Sequence, residues 1–200
     1  MVPRHSRPVI AKNAVGVGLA ALIPLPFVDE YVRHRLLRSS YRAAALDVGV
    51  TLDPGALDTL VREQGSLVWM IVKAIFFWPV KKLFRTILYF LTIKDVLDWA
   101  TEGAIRAEMV HMAAASGALP AEPAAVRERM DGVLERHRFS PVTRWLFGGE
   151  RPPMAWPAGS SALVGGVETL VRWGGGAVIL AAFGEALGAQ GSPSGAGDGR

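Results

Sequence analysis

Residues 67–99 constrain this chain more than any other stretch. Residues 67–77 are almost wholly apolar, broken only by Lys73, and Pro79 follows. A proline inside a helical pattern removes a backbone donor and clashes with the preceding turn, so the helix kinks or restarts there. Beyond it Val80, Leu83, Phe84, Ile87, Leu88 and Leu91 recur with a helical period. Lys81, Lys82, Arg85, Tyr89 and Thr92 fall on the opposite side. Thr92-Ile93-Lys94-Asp95 reads as a capping box, which predicts a fresh helix from Thr92 to about Ser116. On that helix Asp98, Glu102 and Arg106 stand four apart and form a polar stripe. Trp69, Trp78, Tyr89 and Trp99 recur about every ten residues. Indole and phenol rings favour a membrane interface because one edge is apolar and the other can hydrogen-bond. Lys73, Lys81, Lys82 and Arg85 have stems long enough to carry their charges out to phosphates. The expected membrane contacts are therefore Trp69, Lys73, Trp78, Lys81, Lys82, Arg85, Tyr89 and Trp99. The competing expectation is a buried pair of core helices whose lysines reach solvent.

Length and charge bound the rest. Two hundred residues suffice for one domain with a real core. Half of the residues are apolar and a fifth are charged. The charges are dispersed, and no charge-free run holds the roughly 18 unbroken apolar residues of a simple spanning helix. A net charge of +4 favours anionic partners. There is no cysteine, hence no disulfide framework and no thiolate chemistry. The basic residues Arg4, Arg7 and Lys12 ahead of an apolar run have the outline of a secretory signal, but that run continues through Pro24-Leu25-Pro26-Phe27-Val28 past any cleavage site.

The periodicity predicts an all-α single domain, an irregular bundle of six to eight helices. A first helix covers 9–22 and a second 28–47, with Arg35, Arg38 and Arg42 on one face and Gly49 at its end. Asp29 is placed to cap the second helix near Glu30. Asp53 caps a third helix whose first residue is Pro54, and Gly65 closes it. An amphipathic helix covers 124–138, with Val126, Met130, Val133 and Leu134 inward. A short helix begins at Ser140-Pro141, and 148–161 is a Pro/Gly-rich linker inside the domain, which spans 1–188. Residues 162–188 form one apolar, glycine-studded helical segment, or two helices broken near 174–176, in which Glu168 and Arg172 stand four apart and can pair. Residues 189–200 have the composition of a disordered tail.

Motifs for chemistry are sparse. Gly16-Val17-Gly18 lacks the third glycine of a dinucleotide fingerprint, and there is no phosphate-binding loop and no nucleophile elbow. Glu108 and His111 make one Glu-x-x-His where a di-iron bundle needs two, so they are weak candidates for a metal and no cofactor is expected. The arginines of 33–42 lack the interleaved aromatics of a nucleic-acid surface, which disfavours that partner.

Ile23-Pro24-Leu25-Pro26-Phe27-Val28-Asp29 resembles the proline corner of the EcsC-like bacterial family, and of the related helical domain appended to some bacterial GTPases. The order of residues 15–42 is similar too: a Gly/Ala-rich apolar helix, the corner with Pro24, Pro26 and Asp29, then a basic helix. The resemblance implies a helical, membrane-associated bacterial protein and transfers no catalytic residue. Together these readings lead to a non-enzymatic protein on the cytoplasmic face of a bacterial inner membrane, with membrane phospholipid as its partner. The alternative is a soluble adaptor whose apolar helices meet a protein partner or a second copy of the chain.

Overall fold

The structure is a computed structural model describing residues 6–23, 28–62, 85–137, 140 and 162–188. Its described residues form seven helices and no strand: α1 (Arg7–Ala20), α2 (Val28–Leu46), α3 (Pro54–Val61), α4 (Arg85–Ala115), α5 (Pro123–Arg136), α6 (Ala162–Trp173) and α7 (Gly176–Gly188). The chain is an all-α bundle.

Local chemistry sets several boundaries. Asp53 sits in extended backbone and its carboxylate accepts from the Ala56 amide at 2.8 Å, while Pro54 needs no such partner. The α3 helix stops at Val61, four residues before Gly65, because Arg62 is already extended. The α2 helix starts at Val28, so Asp29 lies inside the first turn rather than ahead of it and favours the helix N-terminus through its charge. Between α6 and α7, Gly175 takes φ 84°, a conformation that side chains resist, and the two axes bend by 74°.

The long α4 departs from the expectation at Thr92. It runs unbroken for 31 residues, roughly 46 Å, through the Thr92-Asp95 sequence. A capping sequence starts a helix only where the preceding residues leave helical backbone, and here they continue it. Lys94 instead pairs with Asp98 one turn on, at 2.6 Å.

The α4 helix is the spine. Gly18 lets α1 approach it so closely that an added Cβ would lie 2.4 Å from the Val96 carbonyl oxygen. Leu57, Leu60, Ile105, Met109, Met130, Ile179 and Phe183, all at most 1% exposed, form the main core with Tyr41. Ala11, Ala14, Ala104 and Val167 make a smaller cluster under α6. Val126, Met130 and Val133 of α5 face inward as their spacing requires, with Leu134 partly buried beside them.

Contacts also fix the helix directions. Gly18 beside Val96 makes α1 antiparallel to α4, while Arg33 over Trp99 and Leu37 near Gly103 make α2 parallel to it. Asp58 paired with Arg38, and Arg62 near His34, turn α3 back along α2. Arg106 bonded to Asp131, and Ser140 bonded to Asp98, turn α5 back along α4. Glu168 on Arg7 turns α6 back along α1. Consequently Ile23, Val28, Arg62, Arg85, Ser140 and Ala162 all lie toward one end, here called the corner end. The Gly49 and Gly117 turns lie at the far end.

Among the described residues no single helix is long and apolar enough to cross a membrane; the bent pair α6–α7 passes that test only jointly. Val167, Leu170, Ile179 and Phe183 of that pair are buried in the bundle. Glu168 pairs with Arg7 at 3.1 Å instead of with Arg172, because the α1 packing brings the other arginine to it.

Candidate functional site

Three features stand out: the corner end, a basic cleft beside it, and a charged seam inside the bundle. Nine large apolar side chains are exposed among the described residues, and six of them, Leu19, Leu22, Val28, Tyr31, Ile93 and Leu163, lie toward the corner end. Tyr31 is 65% exposed and Leu22 51%. Single exposed apolar residues are ordinary, whereas these six lie toward one end. The chain leaves the described bundle at this end after Ile23 and after Arg62, and re-enters it at Val28 and Arg85. The aromatic and lysine-rich stretch is therefore joined to the bundle there.

Of the expected membrane contacts, Trp69, Lys73, Trp78, Lys81 and Lys82 lie outside the described residues, as do Pro24 and Pro26 of the corner. Arg85 and Tyr89 belong to the first turns of α4, and their side chains are likewise outside the description. Trp99 is engaged within the fold. It is half-buried against the main core, and the Arg33 guanidinium lies 4.9 Å from its ring centroid.

The basic cleft has a volume of about 570 Å³ and is lined by Tyr31, His34, Arg35, Arg38, Ser39, Arg42 and Asp58. The spacing anticipated the shared face of Arg35, Arg38 and Arg42. It gave no sign that α3 would fold back and wall the face with Asp58, which binds Arg38 at 2.8 Å.

The interior seam joins charged side chains of α2, α4 and α5 and reaches the backbone of α3. Glu102 accepts from Arg106 at 2.7 Å and from Arg33 at 3.4 Å; Arg106 also donates to Asp131 at 2.9 Å. Asp131 accepts from Arg127 at 2.6 Å, and Arg127 donates to the Leu60 carbonyl of α3. Burial alone would raise the Glu102 carboxyl, but Arg106 and Arg33 outweigh it and hold it below the usual carboxylate range. Tyr41 is fully buried beside the seam, and its hydroxyl has no hydrogen-bond partner among the described residues. Burial pushes that hydroxyl above its ordinary value, against the pull of Arg106 and Arg127. The stripe of Asp98, Glu102 and Arg106 was legible as a row on one helix. That Asp98 turns to Lys94 and Ser140 while Glu102 and Arg106 join Arg33, Asp131 and Arg127 was not. The seam ties helices together with complementary charges.

Glu108 and His111 do not converge on a metal centre: among the described residues no group of three or more His, Asp or Glu side chains could hold one. His111 is buried rather than on the polar surface, and its Nε2 has no hydrogen-bond partner there. Glu108 lines a separate cleft of about 290 Å³ between α1, α4, α6 and α7, walled by Ile10, Val164, Val167 and Leu180 and bridged by the Arg7–Glu168 pair. No family model, curated protein or solved structure matches this chain.

Proposed function

We propose that the protein is a non-enzymatic membrane-surface protein that meets an anionic bilayer with its corner end. The observation that carries this reading is the gathering of Leu19, Leu22, Val28, Tyr31, Ile93 and Leu163 at the end to which residues 63–84 are joined. Each half-exposed side chain gains on the order of 1 kcal/mol on entering an apolar phase. The cations that accompany the aromatic residues of 67–99 add about 1 kcal/mol each near an anionic leaflet. Both contributions act together only if the apolar and basic groups share one end, and residues 63–84 are joined to the bundle at the end where those apolar side chains gather. The resemblance of the proline corner to a bacterial membrane-associated family supports placement at the cytoplasmic face of a bacterial inner membrane.

The same exposed patch suits a second reading, a helical adaptor whose corner end is covered by a protein partner or a second copy of the chain. Washing cell membranes with high salt and then with alkaline carbonate separates the readings. Release by salt indicates a surface-bound end, and retention through both washes an inserted one. Recovery wholly in the soluble fraction at low salt defeats the membrane reading.

A further inference from the structure

We propose that the cleft between α2 and α3 binds a phosphoryl anion, the phosphodiester of an anionic phospholipid headgroup. The proposal rests on the membrane reading and adds the residues that recognise the headgroup.

Tyr31, Arg35, Arg38 and Arg42 repeat along one face of α2 over three helical turns, with Ser39 at the edge. The α3 helix closes the other side, and a smaller recess lined by His34, Asp58, Thr59 and Arg62 continues the cleft toward the corner end. Four arginines thus face a single carboxylate, Asp58, which is held by Arg38. Arg35, Arg42 and Arg62 are exposed and have no acidic partner among the described residues. Of the other described arginines, Arg7, Arg33, Arg106, Arg127 and Arg129 each lie against a carboxylate, whereas the exposed Arg136 and Arg172 stand singly without an acidic partner among the described residues. Like charges on one helix face repel when unpaired. Three guanidinium groups without an acidic partner among the described residues thus surround one concavity and give it a positive field that an anion relieves.

The donor set fits phosphate oxygens. A guanidinium presents a planar fork that matches two phosphate oxygens at once, and the Ser39 and Tyr31 hydroxyls add single donors. Position selects among phosphoryl ligands. Tyr31, 65% exposed, stands where the cleft meets the apolar corner end, beside Val28. An amphiphile lying there would place its phosphate in the cleft and its chains against the exposed apolar residues. A nucleic-acid strand would want aromatic platforms between the cations, and among the described residues the lining offers only Tyr31 and the imidazole of His34.

The test uses the full chain and the Arg35→Gln/Arg42→Gln double variant, with Arg129→Gln/Arg136→Gln on α5 as a charge-matched control. Sedimentation with phosphatidylcholine vesicles, with and without phosphatidylglycerol, is the first arm. Calorimetric titration with inorganic phosphate is the second, and a DNA duplex the third. Each lost arginine should weaken binding to the anionic vesicles about fivefold, with no effect on purely zwitterionic ones. The control double should bind more tightly than the cleft double. Circular dichroism melting of both variants at the wild-type temperature excludes a folding defect. Calorimetric binding of phosphate that needs Arg35 and Arg42, without any vesicle binding, upholds the phosphoryl site but removes the membrane reading. Equal vesicle binding by wild type and cleft double overturns the proposal, as does loss of DNA binding alone.

Discussion

Truncating Glu102 to alanine probes the seam that locks α2, α4 and α5 together. Three guanidinium groups there are balanced by two carboxylates, and Glu102 serves two of them, Arg33 at 3.4 Å and Arg106 at 2.7 Å. Without it, Asp131 is the one carboxylate left between Arg106 and Arg127. The Arg33 and Arg106 side chains are only 12% and 11% exposed, so water reaches them poorly. Breaking a buried ion pair from one side costs about 3–5 kcal/mol. Arg33 keeps the face of Trp99, which is worth about 0.5–2 kcal/mol, so the lower part of that range applies. A loss of about 3 kcal/mol is a large share of the roughly 5–15 kcal/mol that holds a typical domain together. Urea unfolding at neutral pH, followed by circular dichroism, measures it, with the exposed Glu128→Ala as a reference. The pH dependence has a fixed sign. A carboxylate with a lowered native pKa stabilises fully above its unfolded value, near 4.5, and loses that contribution as pH falls through the depressed native value. The gap between wild type and Glu102→Gln should therefore be constant near neutrality and close in acid. If Glu102→Ala unfolds within about 0.5 kcal/mol of Glu128→Ala, the seam is not a stabilising lock and the reasoning fails.

Tyr41→Phe removes a buried hydroxyl that has no hydrogen-bond partner among the described residues, so stability at neutral pH should hold or rise by about 1 kcal/mol in thermal melts. Because burial raises the native pKa of Tyr41, the wild type loses stability as pH climbs above about 10, and that alkaline loss should shrink in the variant. Gly18→Ala places a Cβ 2.4 Å from the Val96 carbonyl oxygen and should cost about 1–3 kcal/mol, whereas Gly132→Ala meets nothing within 4 Å and should add about 0.5–1 kcal/mol. Comparing urea midpoints of the two checks the closeness of α1 to α4. Asp53→Ala removes the acceptor for the Ala56 amide and should cost about 1 kcal/mol, read in the same way.

The features legible in the sequence were those written in consecutive residues. Asp53-Pro54 announced the start of α3, and Val126, Met130 and Val133 gave the inner face of α5. The glycines at 174–176 left one helix or two open, and the chain breaks there before α7. The missed features depend on what a helix packs against. Thr92 looked like a cap, yet the bundle carries α4 straight through it. Glu168 had an arginine four residues away and took Arg7 from another helix. The spacing that singled out Trp99 gave no sign that Arg33 would lie over its ring and the core pack beside it. Spacing along one helix shows which residues share a face. It does not show which neighbour that face meets, and partners separated by 25 or 69 residues, as in Arg106–Asp131 and Arg33–Glu102, leave no local trace.

The membrane account turns on whether the corner end, and not the far end, enters an apolar phase. The chain has no cysteine, so single cysteines at Leu22, Tyr31, Ile93 and, as far-end reference, exposed Ala115 can each carry an environment-sensitive fluorophore. On addition of anionic vesicles the account predicts a blue shift at Leu22, Tyr31 and Ile93 and none at Ala115. A shift of equal size at all four positions, or none at the three corner positions, contradicts it.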